Sequence, residues 1–268
     1  PNATSFNYIL YDDNFANFST TGKYYTLANL LILDEDVVPS FDPLTDPNDL
    51  APTKLNSLEI SVTNFENIKD IALYDGTNFY QGTDLTLGKY AFSGFTITVN
   101  DKQLGGLETG IGSFSIVASF NSTFQDSELD DQEELKVTIT NTTDGGGSKF
   151  DDTDDTGNND AGGTGVAATT PGGTNIYDIV ASRFIFEQQP SAIEGIAIPW
   201  VADPLNPLVR AEDANGGLDW SYVDNYTITA PVGVNTATLP PFTNGYLDLT
   251  NLSYQSTGVG TLTISDAS

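Results

Sequence analysis

Between Thr142 and Asn175 the chain reads TTDGGGSKFDDTDDTGNNDAGGTGVAATTPGGTN, with six Asp, nine Gly and a single Lys. A stretch this polar cannot bury enough apolar surface to build a core of its own. Segments of alternating apolar and polar residues lie on both sides of it, so the chain reads as two β-units with this tract as the seam.

The alternation is clearest from Leu55 to Thr63, where Leu58, Ile60 and Val62 share one face and Glu59, Ser61 and Thr63 the other. The spacing predicts further strands over Phe6 to Tyr11, Tyr24 to Leu33, Ile68 to Tyr74, Tyr90 to Val99, Ser113 to Phe120 and Glu134 to Thr140. Asp75-Gly76 reads as a tight hairpin turn followed by the short return strand Phe79-Tyr80. The acidic loop Asp34 to Pro52 carries four Pro residues, which block helix and central strand, and is expected to cross between sheets. After the seam, strands are expected at Arg183 to Gln188, Leu208 to Ala214, Tyr226 to Ala230, Tyr246 to Leu249 and Gly260 to Ser265. No long run has the 3.6-residue spacing of a helix, so very little helix is expected.

The chain has no Cys, Met or His. Disulfides, thiolate metal sites and Ser-His-Asp or Cys-His catalysis are therefore excluded, and so is the commonest zinc ligand. Formal net charge is −28, from 37 acidic and 9 basic residues. Such a surface repels phosphate backbones and anionic headgroups, which argues against nucleic-acid or membrane-surface binding, and suits solubility in a saline exterior or divalent cations. The chain opens on Pro1 and has no apolar run long enough to span a bilayer, so the expectation is a piece of a longer exported polypeptide.

Four phrases of the second half, SRFIFEQQPS (182–191), VRAEDANGGLD (209–219), YTITA (226–230) and LDLTNLSYQSTGVGTLTIS (247–265), resemble in that order the immunoglobulin-like repeats of very large bacterial surface proteins. LNSLEISVTNFENIKDIALYDG (55–76), FSGFTI (92–97) and SFSIVASFNSTFQDSELDDQEELKVTIT (113–140) resemble the longer module that alternates with them in giant adhesin-like proteins of Bacteroidota. The resemblance implies an all-β chain of two tandem antiparallel immunoglobulin-like β-sandwiches joined end to end. The larger would span 1–180, with the acidic loop 142–175 hanging from it and Ile176 to Val180 as its last strand. The smaller would span 181–268. It further implies stalk units of a cell-surface adhesin or filamentous appendage, exported by the type IX pathway. Their partners would be neighbouring repeats, identical chains in a filament, and glycans or other cell surfaces. No catalytic residue carries over.

Within the seam, Asp152, Asp154 and Thr156 stand at alternate positions and Gly157 and Asp160 follow, like the first nine positions of a calcium loop. Oxygen ligands at every second residue converge on one hard cation when Gly lets the loop curl, so calcium is the expected ion. The pattern breaks where a bidentate Glu would sit, at Gly163. Two more acidic sets lie at strand ends: Glu212, Asp213, Asn215 and Asp219, and Asp126, Glu128, Asp130, Asp131, Glu133 and Glu134. Both are expected to be solvated edge charge that discourages strand pairing, with a metal role as the alternative. Trp200, Trp220, Tyr222 and Tyr226 could form a platform for a glycan ring, but a Trp filling the core of the second unit is the expected fate. Carboxylate pairs keep a polysaccharide hydrolase in third place, although nothing marks two of them as a pair. The sequons at Asn2, Asn17, Asn121, Asn141, Asn225 and Asn251 are what chance gives in an Asn- and Thr-rich chain.

Overall fold

The structure, a computed structural model, describes residues 5–33, 53–95, 97–99, 111–121, 131–140, 149–152, 170–187, 208–230, 234–235, 240–249, 253–254 and 261–266. The chain forms two compact units, one of Pro1–Asn121 with Glu134–Ile176, the other of Ser122–Glu133 with Tyr177–Ser268. The fold is all-β, built from small antiparallel sheets with little helix.

The first unit contains, in chain order, β1 (Ser5–Asn7), β2 (Tyr25–Leu33), β3 (Thr53–Val62), β4 (Ile68–Tyr74), β5 (Phe79–Gln81), β6 (Thr83–Thr86), β7 (Lys89–Phe92), β8 (Ile97–Val99), β9 (Ile111–Phe120), β10 (Val137–Ile139) and β11 (Lys149–Asp152). One sheet has the order β2-β9-β4-β5. The other is built around β3, whose C-terminal half pairs with β10 and β7 and whose N-terminal half pairs with β11 and β8, with β6 beyond β7. The alternation of β3 is reproduced: Leu58, Ile60 and Val62 are buried and Thr63 is exposed. Ile71, Leu73, Ile116, Ala118 and Phe120 are among the buried side chains of the other sheet, and Ala72 and Val117 pack with Phe18.

Three local expectations change. The segment Phe6 to Tyr11 is strand only as far as Asn7, because the Asn7 side chain accepts from Ile9 N at 3.1 Å and starts a 3-10 turn over Tyr8–Tyr11. Asp75-Gly76 does not make a two-residue hairpin. Asp75 Oδ1 instead accepts from Thr77 N (2.8 Å) and Asn78 N (2.6 Å), so four residues bridge the pair Tyr74 and Phe79. The expected strand Tyr90 to Val99 is cut in two at Gly94, where φ is +80°, and its halves pair with separate parts of β3.

Part of the polar tract also joins this unit. β11, which carries Phe150, pairs with Thr53–Ser57 of β3. Near the tract's end Asn175 is buried at φ +55° and donates its Nδ2 to Leu27 O (2.7 Å) and Leu135 O (3.2 Å). One side chain thus satisfies two backbone carbonyls. The loop Asp34 to Pro52 lies outside the described residues.

β12 (Ile176–Asp178) begins on the last residue of the first unit, and the second continues with β13 (Arg183–Phe186), β14 (Leu208–Glu212), β15 (Tyr226–Thr229), β16 (Val234–Asn235), β17 (Tyr246–Asp248), β18 (Ser253–Tyr254) and β19 (Thr263–Asp266). Its sheets are β13-β14-β17, β15-β19 and β16-β18. Val209, Ala211, Tyr222, Phe242, Leu247 and Leu249 form the core, against which Phe184, Phe186 and Tyr226 pack. Tyr222 meets Phe242 and Phe184 edge-on at 4.9 and 5.4 Å, the geometry that aromatic quadrupoles favour. Among the described residues no helix is long and apolar enough to cross a membrane.

Candidate functional site: a loop held by buried carboxylates

Among its described residues the second unit buries four acidic side chains, Asp131, Glu212, Asp213 and Asp219. The expectation of solvated edge charge is overturned at all four. A buried carboxylate is tolerated only when its lone pairs are taken up by donors. Each of these finds donors that strand periodicity does not reveal.

Asp131 is 5% exposed and accepts from Ile179 N at 2.8 Å through Oδ1 and from Ser221 N at 3.1 Å through Oδ2. Asp219, also 5% exposed, accepts from Ala181 N (2.9 Å) and from Ser221 Oγ (2.9 Å). Between Asp131 and Asp178, Gln132 at φ +70° donates its Nε2 to both carboxylates, at 3.2 and 3.0 Å. One residue from each of the two acidic sets therefore meets at Ser221. Burial pushes the carboxyls of Asp131, Asp178 and Asp219 above their ordinary range. The charge of Asp178 adds to the shift at Asp131, and that of Asp131 to the shift at Asp219, while the N–H donors oppose both.

Glu212 accepts from Arg183 Nε at 2.7 Å and Arg210 Nε at 3.1 Å, so two guanidinium groups neutralise one buried carboxylate. Asp213 Oδ1 accepts from Asn215 N (2.8 Å) and Gly217 N (2.9 Å), closing the turn in which Gly216 takes φ +95°. Glu134 belongs to the first unit, where its Oε1 accepts from Gly173 N (2.7 Å) and Lys136 Nζ lies 3.2 Å from its Oε2.

The alternative, an aromatic platform, does not assemble from the described residues. Tyr222 is in the core, and Tyr226 is half-buried with its hydroxyl donating to Pro240 O at 2.8 Å. Of the two Trp residues expected to supply a core side chain, Trp220 does not: it is 45% exposed, and Tyr222, two positions on, takes the inward place beside Phe242. Trp200 lies outside the described residues.

Of the proposed calcium ligands, Asp152 ends β11, while Asp154, Thr156 and Asp160 lie outside the described residues, as do Asp126, Glu128 and Asp130. Among the described residues no group of three or more acidic side chains converges in a way that could hold a metal ion. Asp131 and Asp219 spend their oxygens on backbone and hydroxyl donors, which is structural use. No protein-family model, curated protein or solved structure matches the chain.

Proposed function

We propose that this chain is a structural, non-catalytic segment of a long exported surface protein, serving as shaft or spacer of an adhesin or filamentous appendage. Its two units would be immunoglobulin-like sandwiches, repeated to extend reach away from the cell. The observation that supports this reading is how the buried acids are used. Asp131 and Asp219 accept backbone N–H groups of Ile179, Ser221 and Ala181, so the charges of the second unit that sit in low dielectric hold chain segments together. Catalytic carboxylates would instead face a cleft with lone pairs to spare. The net charge of −28 fits a saline exterior.

The partners of such a segment are neighbouring repeats and identical chains, with adhesion to other surfaces as the outcome of display. The carbohydrate-binding alternative retains one described exposed ring, Trp220. Incubating the purified chain with a polysaccharide panel tests the non-catalytic reading. Reducing-end release that a single Asp or Glu substitution abolishes would contradict it, and no release is expected.

A further inference from the structure

The loop Asp219–Asp224 shows solvent two large apolar side chains, Trp220 at 45% and Val223 at 71% exposure. Its backbone is nonetheless fixed. Tyr222 anchors it in the core, Tyr222 N donates to Asp219 O at 3.3 Å, and Ser221 is held by Asp131 and Asp219. A ring displayed on a preset backbone loses little entropy when a partner covers it. Exposed Trp on such a support is what contact surfaces are made of.

Charge selects the occupant. Asp224 in the loop and Asp266 at the end of β19 are exposed carboxylates, and both act, together with the buried Asp219, on the Tyr222 hydroxyl. The only basic residues of the second unit are Arg183 and Arg210, and both are committed to Glu212. Nothing of opposite sign in this unit is left for the loop. Phosphate, uronate and sialyl groups are repelled there. A guanidinium group, by contrast, stacks flat on an indole and gains from every nearby carboxylate.

We propose that the loop 219–224 is a docking site for an arginine side chain of a polypeptide partner, with the Trp220 ring stacking on the guanidinium group and the surrounding acidic residues supplying the complementary charge. This assigns the second unit a defined protein contact beyond any role as a spacer, and it holds or fails independently of that role.

Substituting Trp200→Phe leaves Trp220 as the sole tryptophan, so its emission reports the site directly. Titration of that variant with tetra-arginine, at about 150 mM salt to screen diffuse attraction, is expected to change the emission saturably. Tetra-lysine should act more weakly and tetra-glutamate not at all. By calorimetry on the chain with Trp200 intact, Trp220→Ala and Trp220→Leu should each weaken tetra-arginine binding about five-fold without moving the unfolding midpoint. Asp224→Asn should weaken it about two-fold. Equal affinity of the parent and both Trp220 variants overturns the proposal, as does the absence of saturable binding. An emission change with maltotetraose or cellotetraose but none with tetra-arginine also overturns it, and marks a glycan contact instead.

Discussion

Asp131 and Ser221, ninety residues apart in sequence, are joined by a hydrogen bond in which Ser221 N donates to Asp131 Oδ2 at 3.1 Å. The other oxygen of the same carboxylate accepts from Ile179 N, so one side chain ties two separate segments of the second unit. Asp131→Ala would leave two N–H groups without an acceptor and cost about 2–4 kcal/mol. Asp131→Asn keeps one acceptor oxygen and should cost about half as much. Calorimetric melts of the two variants check the order. Equal losses would mean that the carboxylate acts only as a charge.

Acid should affect the two units in opposite ways. Burial raises the folded-state values of Asp131, Asp178 and Asp219 above the ordinary 3.8, so their contribution is fully present below that value and is lost as pH rises through the folded values. Acidifying from neutrality towards pH about 4 should therefore strengthen the second unit. In the first unit, Asp13 is held low by Asn17, Thr21 and the Asn14 N–H. Asp75 is also held low: burial opposes the shift, and N–H groups of Asn78 and Thr77 outweigh it. These contributions are present above 3.8 and lost as pH falls below it. Amide exchange followed by unit from neutral to acid pH reads both trends, and parallel loss of protection in the two units would contradict them.

Leu87 stands at φ +49° with its side chain 85% exposed, in the turn between β6 and β7. The other described non-glycine residues at positive φ, Asn64, Gln132, Asn175 and Asn244, all carry amide side chains. Leu87→Asn or Leu87→Gly should raise stability by about 0.5–1 kcal/mol, since neither fights the left-handed backbone as Leu does. At the next position the direction reverses. A Cβ on Gly88, which has φ +73°, would collide with Val62 O and the Phe65 ring, so Gly88→Ala should cost more than about 2 kcal/mol. Urea melts of the three variants provide the comparison.

Asn175 separates backbone conformation from hydrogen bonding. Asn175→Gly keeps access to φ +55° but removes the donors to Leu27 O and Leu135 O, a loss of about 1–3 kcal/mol. Asn175→Ala adds the left-handed strain, about 1 kcal/mol more. If the two variants melt together, the backbone conformation at this position carries no energetic weight.

Strand positions were legible in the sequence where one face is buried. Leu58, Ile60 and Val62 alternate with polar residues, and period two is a local property that survives without knowledge of partners. The use of the acidic residues was not legible. Asp131 and Asp219 look like solvated charge because their donors are backbone groups of Ile179, Ala181 and Ser221, brought near by the fold and unmarked by residue type. The choice of Tyr222 over Trp220 for the core has the same origin. Both residues are large and aromatic, and only the register of the loop decides which faces inward. The short β11 was hidden because Phe150 is nearly alone among Gly and Asp, too little apolar material to announce a strand.

The reading of the chain as a shaft segment is tested most directly by electron microscopy of cells expressing the protein, labelled with gold-conjugated antibody raised against this segment. Label spaced along extended filaments or stalks projecting from the surface is expected. Label confined to compact particles, or to the cell interior, would contradict it.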